Sequence, residues 1–418
     1  MQAGNSLLRD TDFMKFWVGQ SVSVFGSQFS PLAIGTIAVL TLNATSLQLG
    51  ILAFLNTVPF LALGLLVGVY VDRHRRRRML ILSDFGRSAV LFIIPLSAMI
   101  YVVTINVLYA VTFMAGILTV FFDITYQSYV PNLVDREKII EANSLLETSR
   151  ASAQTFGPGL AGLAITVISA PMAILGDTLG YLASAVSLTL IRRGETLDLN
   201  RKPASVSSEI GQGLSLVLRE PRLRAIAGAS GTANLIFSAY GAIQLKYLYQ
   251  NLQMSVPEVG FAFSIGAAGG ILGALTAIRV TRILGVGRTI LLSSVVTGVV
   301  MILIYVATPS NAFYLVAMTM FITSVTVFWY NIPQLSYRQA LVPTEIQGRM
   351  NATMRTITWG TLPLGGLLGG VVAELVGVHE TIGIFTGLGM LTFLWIALSP
   401  VRGIKGFPTE EDRAGIRL

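Results

Sequence analysis

Basic side chains alternate with long apolar stretches along this 418-residue chain. A membrane-spanning helix needs about 20 apolar residues, and twelve stretches reach that length. All but one of the 29 Lys and Arg residues lie in or close to the two termini and the even-numbered gaps between these stretches, the exception being Lys246. Because basic loops stay on the cytoplasmic side, the alternation predicts a multi-pass protein of the cell (inner) membrane. Both termini and every even gap are predicted to be cytoplasmic.

The predicted spans follow one another through short outer gaps. They cover residues 16–42, 47–71, 79–103, 107–130, 151–168, 170–191, 223–249, 259–280, 289–307, 313–334, 359–376 and 381–401. Short connections force neighbouring helices to be antiparallel. We therefore expect an all-α membrane protein.

Composition excludes several classes of protein. The chain is 53% hydrophobic and 12% charged, with a mean hydropathy of +0.70, so neither a water-soluble globular class nor a disordered one fits. The net charge of +8 is explained by cytoplasmic loops that face anionic headgroups. We expect a lipid bilayer as partner and no nucleic acid.

Chemistry that needs thiols or clustered acids is not expected. Cysteine is absent from the sequence, which excludes disulfides, thiolate metal sites and a Cys nucleophile. His74 and His379 both lie in predicted loops, and no phosphate-binding loop of an ATP motor is present. We predict no enzyme activity, no catalytic residue, no metal and no cofactor.

The longest polar break divides the chain into two halves. Residues 1–191 and 223–418 are each predicted to form a six-helix bundle, and residues 192–222 a cytoplasmic linker. Within the linker, a short amphipathic helix is predicted from Glu209 to Arg219. Its apolar face is predicted to lie along the membrane surface or the underside of the bundle. That face consists of Ile210, Leu214, Val217 and Leu218.

The two halves repeat each other with an offset of 208 residues. Matched pairs include Ser128 with Ser336, Tyr129 with Tyr337, Asp123 with Asn331, Asn143 with Asn351, and Gly162 with Gly370. A parallel repeat of six spans is the architecture of two-domain secondary transporters. It predicts pseudo-twofold symmetry between the bundles.

The loop between the second and third spans reads Gly68-Val-Tyr-Val-Asp72-Arg73-His-Arg-Arg76-Arg-Arg. It resembles the G-x-x-x-D-R-x-G-R-R loop signature of the major facilitator superfamily. That resemblance implies that Asp72 caps span eleven, that Arg76 meets an acid on span four, and that Gly68 allows close helix approach. Asp123 is the matching acid. The loop departs from the family signature at residue 75, which is Arg instead of Gly. The alternative is a stop-transfer charge cluster, which would explain the arginines but not Gly68 and Asp72.

Span five opens with Gly157-Pro158-Gly-Leu-Ala-Gly162. This resembles the g-x-x-x-G-P-x-x-G-G signature of superfamily antiporters, with Gly162 alone in place of the final pair. Pro kinks a membrane helix, and small residues let a second helix pack closely. Both antiport and ordinary close packing remain open for this motif.

Further stretches resemble the macrolide-efflux and enterobactin-exporter branch of the superfamily. They start at Asp123, Gln212 and Gln347, and together with the signatures they cover essentially the whole chain. This branch often carries an acid after a Gly in span one, but here Gly26 is followed by Ser27. A proton site on span one is therefore not expected.

Acids within spans indicate function, because burying them is costly. Asp177, in span six and without a basic neighbour in sequence, is the candidate for proton coupling. Helix packing through a hydrogen bond is the alternative for Asp177. Asp84 and Arg87 are predicted to form a structural ion pair near the cytoplasmic end of span three.

The resemblance places helices one, four, seven and ten around a substrate cavity. Candidate lining residues are Gln28, Asn56, Asn234, Tyr240, Gln244, Trp329, Tyr330 and Asn331. Amides and aromatics with few charges fit a bulky amphipathic small molecule. We predict a monomeric efflux transporter that exchanges such a molecule for protons by alternating access.

Two other transport functions and one non-transport function remain open. A siderophore exporter would carry an anionic cargo and would need bases in its cavity, where Lys246 alone comes close. A lipid-like metabolite exporter would need a hydrophobic side opening. A membrane scaffold would require neither the loop signature nor the six-span repeat.

Overall fold

The computed structural model describes residues 7–72, 74–135, 138–193, 206–406 and 408. Arg73 of the loop signature lies outside these residues, as do the side chains of Asp72 and Ile210. Every regular element within the described ranges is helical, so the prediction of an all-α fold is confirmed.

The first half of the chain contains eight α-helices within the described residues. They are α1 (Thr11–Gly26), α2 (Phe29–Thr36), α3 (Ser46–Asp72), α4 (Arg76–Met99), α5 (Ile105–Leu133), α6 (Ile139–Ile168), α7 (Ala170–Ala173) and α8 (Leu175–Thr189). The first span is α1 and α2 together with a π-helical segment, Ile37–Thr41. The sixth span is α7 and α8.

The second half contains eight more helices. They are α9 (Val206–Arg219), α10 (Pro221–Lys246), α11 (Val256–Leu284), α12 (Val286–Tyr305), α13 (Ala312–Leu341), α14 (Thr344–Val376), α15 (Val378–Met390) and α16 (Leu394–Ala397). A second π-helical segment, Tyr247–Asn251, follows α10. The last span runs from α15 to α16.

Eleven helical stretches of the described chain are long and apolar enough to cross a membrane. The remaining predicted span, the seventh in order, corresponds to α10, which has 26 residues and is therefore about 39 Å long. That length suffices for a bilayer, and α10 is less apolar than those eleven stretches because Gly, Ser, Thr and Asn are spread along it. The chain thus has the helices of a twelve-span membrane fold.

Backbone geometry repeats between the halves. The two π-helical segments are followed by Asn43 and Gln253, whose φ angles are 47° and 53°. The helices α6 and α14 both end at a positive φ, of 79° at Ser169 and 98° at Gly377. Only glycine adopts such angles freely, so their matched placement reflects a shared backbone path. The predicted internal repeat is visible at this level.

The chain divides into two compact units. Unit 1 contains Met1–Ala44, Leu55–Arg201 and Ser255–Ser264. Unit 2 contains Thr45–Phe54, Lys202–Met254 and Ile265–Leu418. Each unit is therefore one half of the chain, except that the first turns of α3 belong to unit 2 and those of α11 to unit 1.

The linker helix α9 packs against α10 and α14 in unit 2. Leu216 and Val217 are buried in the core of that unit, whereas Leu214 and Leu218 are exposed. Val217 of the predicted apolar face thus packs into unit 2, and whether the exposed Leu214 and Leu218 lie along the membrane surface stays a prediction. Since Gly213 has no side chain, α9 approaches the backbone of α14 at that point, which turns the neighbouring residues 216 and 217 inward.

Candidate functional site

A cavity of about 300 Å³ lies within unit 1. Its walls come from α1, α4, α5, α6 and α8, and they combine hydroxyls, amides, aromatic rings and three charged groups. The lining residues are Gln20, Ser21, Ser23, Val24, Ser27, Gln28, Arg87, Thr119, Phe122, Asp123, Tyr126, Leu146, Ser149, Arg150, Gln154 and Tyr181. Polar side chains from several helices of unit 1 thus face one space between those helices.

Small residues bring α1 and α8 together beside this cavity. A Cβ atom on Gly26 would lie 3.1 Å from the Cα of Asp177, and one on Gly180 would lie 3.2 Å from the Cα of Ser23. Both distances are shorter than ordinary side-chain contacts, so the two backbones touch directly. The close approach places Tyr181 in the cavity wall.

Arg87 occupies the centre of the polar cluster. Its guanidinium lies 4.0 Å from the ring centroids of both Phe122 and Tyr181, and it pairs with Asp84. Ser184 donates a hydrogen bond of 2.5 Å to the second oxygen of Asp84. The fork-shaped cation is thus held by two aromatic faces and one carboxylate, as arginine geometry favours.

The Asp84–Arg87 pair is buried, with exposures of 0% and 4%. The predicted ion pair is confirmed. Its predicted place near the end of the span was wrong, because Arg87 is 11 residues into the 24-residue helix α4 and so lies about 16 Å from its start. A buried pair at mid-helix needs additional hydrogen bonds; Ser184 donates one to Asp84, and Gln20 in turn donates to Ser184.

Asp177 lies beside this cluster and is 2% exposed. Its Oδ1 atom is buried and has no hydrogen-bond partner in the described part of the chain. The polar and charged groups that act on the carboxyl are Ser30, Arg87, Tyr181 and Asp84. The expected burial of Asp177 is therefore confirmed. Gly26, after which related transporters often carry an acid, packs against this acid from a different helix.

Asp123 faces the cavity from α5 and interacts electrostatically with Arg87. The carboxyl groups of Asp84, Asp123 and Asp177 therefore all interact electrostatically with one guanidinium. The contact predicted between Asp123 and Arg76 stays a prediction. Apart from the neighbouring backbone of α3 itself, no heavy atom of the described chain lies within 4 Å of the Cβ position at Gly68, so the close helix approach predicted there is not seen.

The glycines of the antiporter-like motif pack closely within unit 1. A Cβ atom on Gly157 would overlap the side chain of Gln28, and one on Gly162 would lie 3.0 Å from the carbonyl oxygen of Val256. The N–H of Gly159, which follows Pro158, donates a hydrogen bond of 2.9 Å to Ser264. These contacts join α6 to α1 and to the first turns of α11.

The second half repeats these contacts in unit 2. A Cβ atom on Gly370 would meet the Cα of Gly50, and one on Gly365 would meet the backbone of Leu235. Gly365 and Gly370 are the counterparts of Gly157 and Gly162 at the offset of 208 residues. The same glycine positions thus support close helix packing in both halves, which favours a packing role in each.

Replacing Gly260 with Ala is expected to destabilise the fold by about 1–3 kcal/mol. The new Cβ would lie 2.5 Å from the carbonyl oxygen of Pro158, and backbone cannot move away cheaply. Gly241→Ala is the matched control, since nothing in the described chain lies within 4 Å of its Cβ position. Thermal unfolding in detergent, followed by tryptophan fluorescence, should show a lower midpoint for Gly260→Ala alone. Equal midpoints would contradict the packing role.

Three of the predicted cavity residues hydrogen-bond to a second helix within unit 2. Asn234 donates to the carbonyl of Thr358 at 2.8 Å, Trp329 donates to Thr276 at 2.8 Å, and the hydroxyl of Tyr330 lies 2.8 Å from that of Ser230. Their polar groups already have partners within the protein. Interhelical bonding explains these residues without a substrate.

The other five predicted cavity residues differ in exposure. Gln28 lines the cavity of unit 1. Tyr240 is buried, Gln244 is half-buried, and Asn56 and Asn331 are exposed. Whether any of these groups touches a substrate stays a prediction.

Sequence reasoning missed the basic groups of the cavity. Arg87 and Arg150 both line it, whereas the sequence indicated Lys246 as the one base near a cavity. The spacing of Asp84 and Arg87 had signalled the pair itself. The rings of Phe122 and Tyr181 come from α5 and α8, and no local pattern connects those positions to α4.

Comparisons with known proteins agree with the fold. Residues 3–406 match the family described as transmembrane secretion effector. The chain is similar to the multidrug efflux pump Tap of Mycolicibacterium fortuitum, with 25% identity over 82% of this chain and 85% of that protein. It is also similar to macrolide efflux protein A of Streptococcus pyogenes, with 23% identity over 88% and 91% of the two chains.

A third relative is named for a different cargo. The staphyloferrin A transporter of Staphylococcus aureus is 24% identical over 90% of this chain and 93% of that protein. Among solved structures, the nucleoside transporter NupG superposes with a TM-score of 0.76 at 12% identity, covering 93% and 98% of the two chains. At that identity, the likeness shows a shared fold.

Proposed function

The chain belongs to the transmembrane secretion effector family of the major facilitator superfamily, and we propose that it exports amphipathic small molecules in exchange for protons. The chain has the apolar helices of a multi-pass membrane protein, and two of its relatives are named as a multidrug and a macrolide efflux protein. Transport proceeds by alternating access in a monomer, with the cell membrane as the site of action. No chemical step on the cargo is part of this function.

The cavity of unit 1 is the observation that carries the proposal. It places the rings of Phe122, Tyr126 and Tyr181 next to amide and hydroxyl groups. Aromatic faces bind apolar surface, and a few polar groups orient it. The carboxylate of Asp123 provides a partner for a basic amine. These features suit a neutral or cationic amphipathic cargo such as the drugs named for the efflux relatives.

An anionic siderophore is the second candidate cargo. Arg87 and Arg150 line the cavity, and arginine binds carboxylates in a bidentate geometry. Arg87 is already paired with Asp84, whereas Arg150 is about half exposed and lies 3.9 Å from the exposed Glu147. Arg150 is therefore the base available to such a cargo. The class of cargo itself is suggested by the relative named as a staphyloferrin A transporter.

A substrate screen in proteoliposomes with an imposed pH gradient tests these two cargoes. A macrolide and a cationic dye represent the first class, and a carboxylate siderophore the second. Gradient-driven transport of the first class alone supports drug export. Transport of the siderophore, lost in Arg150→Gln, favours the second candidate. Transport of neither class under any gradient would contradict both.

Proton coupling is proposed to pass through Asp177. The guanidinium of Arg87 is already paired with Asp84, so a second buried carboxylate at Asp177 adds negative charge unless it holds a proton, and an unpaired buried charge is expensive. Asp84 has Arg87 and Ser184 as partners, while Asp177 has an oxygen without a partner in the described chain. Asp177 is therefore the proton carrier. Its protonation changes the charge beside the cavity and so biases the transport states.

Asp72, Arg76 and Asp123 are proposed to form a cytoplasmic latch. Opening that side must break charge-assisted contacts between the loop and the helices. Asp72→Asn is therefore expected to reduce the transport rate while the protein stays folded, as measured by efflux in proteoliposomes and by gel filtration. Wild-type transport by a well-folded Asp72→Asn protein would contradict the latch.

Membrane topology is proposed from the distribution of basic residues. Because the chain has no cysteine, single Cys residues at exposed positions report one site each. Ser310→Cys is expected to react with an impermeant maleimide in intact cells, and Gly406→Cys only after permeabilisation. The opposite labelling pattern would reverse the topology.

A further inference from the structure

A second cavity, of about 430 Å³, lies at the end of unit 1 where α4 begins and α8 ends. It is lined by Arg75, Arg77, Arg78, Ile81, Tyr129, Asn132, Leu133, Arg192 and Arg193. Five of these nine residues are arginine and none is acidic. They come from three separate parts of the chain, so the fold concentrates positive charge around one space. We call it the arginine cavity.

Two of the arginines hold the walls in place. Arg77 donates hydrogen bonds of 2.7 and 2.6 Å to the carbonyl oxygens of Leu188 and Thr189, at the end of α8. Arg193 donates to the carbonyl of Leu133 and, at 2.9 Å, to Asp135. Helix C-termini leave carbonyl groups without intrahelical partners, and basic side chains satisfy them. These two guanidiniums therefore have a structural use.

The other three arginines have no such use. The side chains of Arg75, Arg78 and Arg192 are exposed, and no ion pair joins any of them to an acid of the described chain. Their cavity is also where α4 begins, without a side-chain cap and without an acid in its first turn. Basic residues at a helix start are unfavourable unless an anion is near.

Exposed apolar rows lead from the arginine cavity along two helices that pack together, α4 and α8. Leu82 and Phe85 follow Arg78 at helical spacing, and Leu82 is 70% exposed. On α8, Leu179, Leu182, Val186 and Leu190 form an exposed row that ends two residues before Arg192. A molecule with an anionic group in the cavity would have apolar surface directly beside it.

We propose that the arginine cavity binds the phosphate of an anionic phospholipid, with the acyl chains along the exposed rows of α4 and α8. Arginine matches phosphate in a bidentate geometry. The proposed topology places this end in the cytoplasmic leaflet, which carries the anionic lipids. A stop-transfer role for the loop before α4 would explain the number of its arginines. It would not explain why three separate segments of the chain surround one cavity. The site is independent of the cargo and of proton coupling.

Native mass spectrometry of the full-length protein in detergent tests the site. The probes are dioleoyl phosphatidylglycerol and dioleoyl phosphatidylcholine, which share their acyl chains and differ in charge. The test variant combines Arg75→Gln, Arg78→Gln and Arg192→Gln, and Arg78→Gln alone serves if the triple variant does not fold. The control combines Arg279→Gln, Arg282→Gln and Arg288→Gln, three exposed residues of unit 2 with the same change in charge.

The wild-type protein is expected to retain the anionic lipid about tenfold better than the zwitterionic one, given the attraction that each basic residue adds. The test variant should lose this preference, while the control keeps it. Millimolar inorganic phosphate should not displace the lipid. Equal retention of both lipids, an equal loss in the control, or displacement by inorganic phosphate would each overturn the proposal, the last by indicating a site for free anions.

Discussion

Replacing Asp177 with Asn is expected to reduce gradient-driven efflux to the rate of protein-free vesicles while cargo binding persists. The amide keeps the size and the polarity of the side chain but cannot gain or lose a proton. The carboxyl is buried and lies beside the cavity wall, in electrostatic contact with Arg87. Its charge therefore acts on the cavity without contact with solvent.

Two controls separate coupling from packing at this position. Asp177→Glu keeps a carboxyl group and should restore part of the pH-dependent transport. Glu147→Gln removes an exposed acid of the same unit and should leave transport unchanged. Normal pumping by Asp177→Asn would make Asp177 a packing residue. The proton site would then be Asp123 or Glu374, an acid near the end of α14 that accepts a hydrogen bond from the N–H of Leu47, or the protein would be a uniporter.

Replacing Arg87 with Gln is expected to destabilise the protein by about 3–5 kcal/mol, the usual cost of removing one member of a buried ion pair. The substitution leaves the carboxylate of Asp84, with 0% exposure, without its cationic partner. It also removes the cation between the rings of Phe122 and Tyr181. Folded yield and the thermal midpoint in detergent should both fall.

The double variant Asp84→Asn with Arg87→Gln tests the physical cause. Because it buries two neutral groups instead of one unpaired charge, it should recover much of the lost stability. Arg87→Lys keeps the charge but loses the planar stack, so it should fall between wild type and Arg87→Gln. A double variant as unstable as Arg87→Gln would show that the aromatic stack, rather than the ion pair, holds this region together.

Much of the fold could be predicted from the sequence because its signals are local or periodic. Apolar length sets where a helix can span a bilayer, and the offset of 208 residues revealed the repeat. The glycines of α6 and α14 indicated close packing because small residues have that meaning wherever they lie in a membrane helix. The π-helical segments Ile37–Thr41 and Tyr247–Asn251 carried no such signal.

The site was predicted less completely because it depends on contacts between distant segments. The pairing of Asp84 with Arg87 follows from their spacing, but the rings around Arg87 come from residues 122 and 181. Likewise, Gly26 and Asp177 are 151 positions apart in the sequence and touch in space. On α9, the close approach to α14 occurs at Gly213, a residue that contributes nothing to a hydrophobic pattern.

Transport against an imposed proton gradient tests the central proposal most directly. Proteoliposomes that contain the purified chain and the cargo found in the screen are given gradients of equal size and opposite sign. The account predicts that cargo moves opposite to the protons in both cases, and that Asp177→Asn removes this response. Cargo flux that is the same under both gradients would contradict proton-coupled export by this protein.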